Sequence, residues 1–90
     1  MTVKDLAEFI KQKKYNEFCD ACVKISPRAL HYITNYINNF QDELYENASP
    51  EQLKKWRYAL SAEAETEYLI KNNLDQYTLT EEEKQQACLI

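Results

Sequence analysis

The sequence predicts an all-α protein, a compact antiparallel bundle of four main helices with a short fifth helix at the C-terminal end. Three observations carry this. Four segments show helical spacing of apolar residues behind recognisable start signals. No stretch alternates with period two for long enough to propose a strand. The 90 residues contain no glycine, where average usage would give roughly six. Glycine is the default where a backbone turns with positive φ or approaches a phosphate. Its absence excludes a dinucleotide-binding turn, a Walker-type phosphate loop and a nucleophile elbow.

Thr2 is placed to cap a first helix, with Asp5 in its first turn; Val3, Leu6 and Ile10 follow helical spacing, with Phe9 beside them. Lys11, Lys13 and Lys14 gather where the helix dipole favours cations, and Asn16 is expected to break this helix and cap the next. Phe18, Ala21, Cys22 and Ile25 then share one face. Ser26-Pro27 is a strong start signal, because serine supplies the cap oxygen and proline needs no N–H partner at the first helical position. Leu30, Ile33, Ile37, Phe40 and Leu44, spaced 3, 4, 3, 4, predict one helix running to about Glu46, with Asn47 in a left-handed cap. Ser49-Pro50 repeats the start signal, with Gln52 completing a capping box. Leu53, Trp56, Leu60, Ala64 and Tyr68 form the inner face of a fourth helix that ends at Asn72 and Asn73. Thr80 and Glu83 form a second capping box, opening a last helix expected to hold Ala87, Cys88, Leu89 and Ile90.

Ninety residues make one domain, 1–90. The formal net charge is −4, which argues against direct nucleic-acid binding. Charge is unevenly spread: residues 29–53 hold four acids and no base, and residues 58–90 hold seven acids against two bases. No apolar run suggests a signal peptide or a membrane span, and three cysteines make no even framework, so a cytoplasmic location is expected.

Cys19 and Cys22 form a CxxC, but it falls inside a predicted helix with no second paired motif, so both are read as structural thiols. No metal, cofactor or catalytic residue is assigned. His31 is the only histidine and is read as an edge residue. Glu63 and Glu67 share a helical side, yet Glu67–Lys71 and Glu51–Lys55 ion pairs at i,i+4 account for such charges on any solvated helix.

Seven tyrosines are many for this length. Tyrosine enriches interface centres because it joins large area to few rotamers. A partner-binding face is expected from Tyr32, Tyr36, Tyr58 and Leu69, rimmed by Asp42, Glu43, Glu63 and Glu65. The competing expectation is that the last helix covers Tyr58 and Leu69. The functional expectation is a small, acidic, non-enzymatic interaction module: an inhibitor, adaptor or regulator of a larger protein. Phage-encoded inhibitors of host or defence machinery are similar in size and charge, a likeness of composition only. If the partner has a basic, nucleic-acid-binding surface, carboxylates at 42, 43, 46, 63, 65 and 67 could mimic phosphates. The alternatives are a metal-binding or thiol-redox protein using Cys19 and Cys22, with Cys88 or His31, and a homo-oligomeric scaffold (a homodimer at its simplest) using the third-helix seam.

Overall fold

Thr2 opens the first helix in the computed structural model, which describes residues 1–90. The chain is all-α, without a strand: α1 (Val3–Lys11), α2 (Tyr15–Cys22), α3 (Pro27–Leu30), a 3₁₀ turn (His31–Ile33), α4 (Thr34–Asn38), α5 (Gln41–Asn47), α6 (Pro50–Ala59), α7 (Ala62–Lys71) and α8 (Glu81–Gln86). The start signals act as expected at Thr2, Ser49 and Thr80; at Ser26-Pro27 the proline sits where expected, but the serine hydroxyl makes no cap bond and donates to Glu83 instead. Thr2 with Asp5 and Thr80 with Glu83 make reciprocal capping boxes, Ser49 Oγ accepts from the Gln52 amide, and Pro27 and Pro50 sit at helix starts. The Gln52 side chain does not return the bond, so that capping box is half formed.

The four-long-helix bundle does not form. The expected third helix is broken twice, at Ile33 (φ −99, ψ −2) and at Phe40 (φ −120, ψ 11). Both breaks lie in a stretch of β-branched and asparagine residues (Ile33-Thr34-Asn35, Asn38-Asn39) with weak helix propensity. The bends let Leu30, Ile33, Ile37 and Leu44 all reach one core, whereas Phe40 stays half-buried, its ring 5.1 Å from that of Tyr36. Four of the five seam residues are thus buried within one chain. The expected fourth helix breaks at Leu60-Ser61. Ser61 Oγ accepts from the Ala64 amide (3.1 Å) and donates to the Tyr58 carbonyl (2.6 Å), so one serine caps both helix ends.

Three other boundaries differ from expectation. Asn16 lies inside α2, where its side chain accepts the Ser49 amide (3.1 Å). Asn47 ends α5, and the following Ala48 is extended, not left-handed. α8 stops at Gln86, so Cys88, Leu89 and Ile90 lie beyond it, exposed. Positive φ occurs instead at Lys13 (59°), Asn73 (53°) and Cys88 (61°). At each, the paired bonds of a Schellman motif close the helix: Lys13 N to Ile10 O with Lys14 N to Phe9 O, Asn73 N to Ile70 O with Leu74 N to Leu69 O, and Cys88 N to Gln85 O with Leu89 N to Lys84 O. The chain thus builds three glycine-type caps without glycine.

The core gathers Leu6, Ile10, Phe18, Cys19, Cys22, Leu30, Ile37, Leu44 and Trp56. α2 packs chiefly on α6 and α1, and α3 packs on α7 and α8. The radius of gyration, 12.8 Å, is near the roughly 12 Å expected of a compact 90-residue chain. No helix is long and apolar enough to cross a membrane.

Candidate interaction site

The most polar part of the interior organises the C-terminal half. Arg28, 6 % exposed, meets Glu83, 0 % exposed. Arg28 Nε donates to Glu83 Oε2 (2.7 Å) and Nη2 to Oε1 (2.5 Å), a bidentate pair. The Ser26 hydroxyl also donates to Oε2 (2.6 Å), and the Thr80 amide to Oε1 (3.0 Å). Each carboxylate oxygen thus accepts two bonds. Burial alone would push the Glu83 carboxyl up, but these donors outweigh it and hold the group down at about 2. The capping glutamate of α8 is therefore also the anchor that ties α8 to the start of α3. The Ser26 amide adds a bond to Gln86 Oε1 (3.0 Å).

This knot reaches the surface through Asp75. Arg28 Nη1 donates to the Asp75 carbonyl (2.8 Å), fixing the α7–α8 connector on α3. The Asp75 carboxylate accepts the amides of Tyr77 and Thr78, both at 2.7 Å, which hold its carboxyl below the usual range. The turn so formed carries Tyr77 and Leu79 to the rim of a cleft of about 340 Å³, lined by Arg28, His31, Tyr32, Glu65, Tyr77 and Leu79. Tyr32 is 53 % exposed and Tyr77 86 %. Glu65 is half-buried and takes no ion pair within the chain.

Two of the eight expected site residues, Tyr32 and Glu65, meet here. The others do not join them. Tyr58 is exposed, its hydroxyl donating to Glu67, in a separate groove between α6, α7, α8 and the Val23–Pro27 turn. α8 flanks this groove through Glu82 and Gln86 and leaves Tyr58 uncovered. Leu69 is half-buried and lines neither cleft. Tyr36 stacks on Phe40. Glu43 accepts the Tyr15 hydroxyl (2.5 Å), pushing that phenol up, so it ties α5 to α2 and is not a free rim charge. Asp42 and Glu43 lie in the first turn of α5, and Glu63 and Glu65 in that of α7, where acids complement the helix dipole. The expected surface pairs also change: Glu67 takes Tyr58, and Lys55 bonds Asp20 (3.0 Å).

Burial pushes the Cys19 thiol up to about 11 and the Cys22 thiol higher still. Cys88 is exposed. No group of three or more His, Cys, Asp or Glu residues is arranged to hold a metal ion.

Sequence reasoning missed Arg28, Tyr77 and Leu79. The Arg28 contact spans 55 residues and leaves no local pattern. Tyr77 and Leu79 lie in a connector without periodicity, although Asp75, two residues before Tyr77, is a turn signal of the Asx type. No protein-family model, curated protein or solved structure matches this chain.

Proposed function

We propose that the chain is a small, acidic, non-enzymatic interaction module that acts as an inhibitor, adaptor or regulator by docking on a larger protein. The observation that supports this is the cleft lined by Tyr32 and Tyr77, both exposed, together with Glu65 and Leu79. Exposed tyrosines beside an apolar side chain are the composition of interface anchors. The connector that carries Tyr77 is held by the bond from Arg28 to the Asp75 carbonyl, so little conformational freedom would be lost on binding. The cleft belongs to the most acidic part of the chain, where Glu63, Glu67, Glu81 and Glu82 are exposed. Such a field would steer a basic surface and speed its association.

The test is capture of the partner from the native host by the parent and by the Tyr32→Ala/Tyr77→Ala variant, both verified as helical. The variant is expected to lose the partner by tenfold or more, on the order of a hot-spot loss. Equal capture by both would place the working surface elsewhere. A Tyr58→Ala variant, altered in the separate groove, is expected to retain the partner.

A further inference from the structure

We infer that the Tyr32–Glu65–Tyr77 cleft is a receptor for an arginine side chain presented by a basic segment of the partner. This rests on the interaction reading above and names the chemistry of that same site.

The side chains at the cleft satisfy what a guanidinium needs. Two tyrosine rings, exposed by 53 % and 86 %, offer π-faces, and a planar cation stacks on such faces better than an ammonium does. Glu65 offers a half-buried carboxylate with no ion-pair partner in the chain, and Leu79 supplies apolar surface for the methylene stem. The resident cation does not compete. The Arg28 guanidinium is already neutralised by Glu83 and spends its Nη1 on the Asp75 carbonyl. His31 is the remaining basic side chain on the wall. Residues 58–90 carry a net charge of −5, or −4 once Glu83 is set against Arg28, so charge complementarity selects a basic occupant over an acidic or purely apolar one.

The Tyr58 groove lacks this pattern. Its one exposed tyrosine has its hydroxyl committed to Glu67, and in its lining Lys24 and Lys71 offset the charges of Glu67 and Glu82.

The probe is an acetylated, amidated Gly/Ser peptide with three arginines, titrated into isotopically labelled full-length protein and followed by NMR. Control peptides carry citrulline, the neutral isostere, or lysine at the same places. Saturable shifts are expected at Tyr32, Glu65, Tyr77 and Leu79. The citrulline peptide should bind more weakly by roughly five- to tenfold and the lysine peptide by roughly two- to fivefold. Glu65→Gln should weaken the arginine peptide by roughly three- to tenfold, and Tyr77→Ala by roughly two- to fivefold. Glu46→Gln, which removes an exposed carboxylate on α5, should change nothing. The inference is overturned if shifts spread evenly over the exposed carboxylates of α1 and α5, if citrulline binds as well as arginine, or if Glu65→Gln is silent. If the peptide fails while Tyr32→Ala/Tyr77→Ala still loses the host partner, the interaction reading stands and the arginine ligand falls. If the peptide binds and that variant keeps the host partner, the arginine site stands and the interaction reading falls.

Discussion

Replacing Glu83 by glutamine removes one charge at the centre of the C-terminal half and changes little in shape. The glutamine keeps an acceptor for Ser26 or Thr80 but leaves the Arg28 guanidinium, 6 % exposed, without its counter-charge. Breaking a buried pair on one side costs about 3–5 kcal/mol. The depressed carboxyl leads to a similar figure. A carboxyl with an ordinary value of 4.5 that is held at about 2 in the fold contributes about 3 kcal/mol to stability. The sign follows from the depression: this stability is complete above the unfolded value, and it is lost as pH falls from about 4.5 to about 2. For a domain of this size, stability totals roughly 5–13 kcal/mol, so the loss is a large fraction. At about 4–8 °C per kcal/mol, the melting temperature should fall by about 12 °C or more. Circular dichroism melts at pH 7 measure this directly. Repeating them from pH 5 to pH 2 should show a steep acid limb in the parent and a flatter one in Glu83→Gln. A shift below about 3 °C, or identical acid limbs, would refute the reasoning. The double variant Arg28→Met/Glu83→Leu should recover part of the loss, because it leaves no unpaired charge. It should not recover all of it, since the Ser26 hydroxyl and the Asp75 carbonyl would then lack partners.

Lys13→Gly should stabilise the chain by about 0.5–1 kcal/mol in urea melts, since a left-handed non-glycine residue costs about 1–2 kcal/mol, offset in part by greater freedom of the unfolded chain. Phe18→Ala, at a fully buried ring, should cost about 3–5 kcal/mol, and Phe40→Ala, half-buried against Tyr36, about 1–2 kcal/mol; equal losses would contradict the core assignment. A thiol reagent should modify Cys88 at once and reach Cys19 and Cys22 only at the rate of unfolding, as peptide mapping would read. Rapid labelling of the buried pair would show that the α2 face is open.

Local chemistry was legible in the sequence. Thr2, Ser49-Pro50 and Thr80 mark helix starts because capping needs only residues within one turn, and Pro27 marks one by its fit to the first helical position, although Ser26 gives its hydroxyl to Glu83 and not to a cap. The buried faces of Phe18, Ala21, Cys22 and Ile25, and of Leu30, Ile33, Ile37 and Leu44, followed from periodicity. The helix breaks were not legible from that periodicity. A 3, 4, 3, 4 spacing survives a bend of one residue, so the seam stayed intact while the helix did not. Ser61, whose hydroxyl bridges the two helix ends, was not legible as a cap because it lies within a continuous apolar pattern. The left-handed caps were misplaced because Lys13 and Cys88 are poor residues for that conformation, and only the surrounding fold imposes it. The candidate site was half legible. Composition marked Tyr32 and Glu65, but Tyr77 enters the cleft through Arg28 and Asp75, a route set by contacts 47 residues apart.

The most direct measurement is photo-crosslinking in the native host with a benzophenone side chain at position 77 or at position 32, compared with position 54, where exposed Lys54 lies on α6, outside the cleft. Positions 77 and 32 are expected to yield the same discrete adduct with a larger protein, and position 54 none. An adduct of equal yield from position 54, or none from positions 77 and 32 while the chain still carries out its biological activity, would contradict the account.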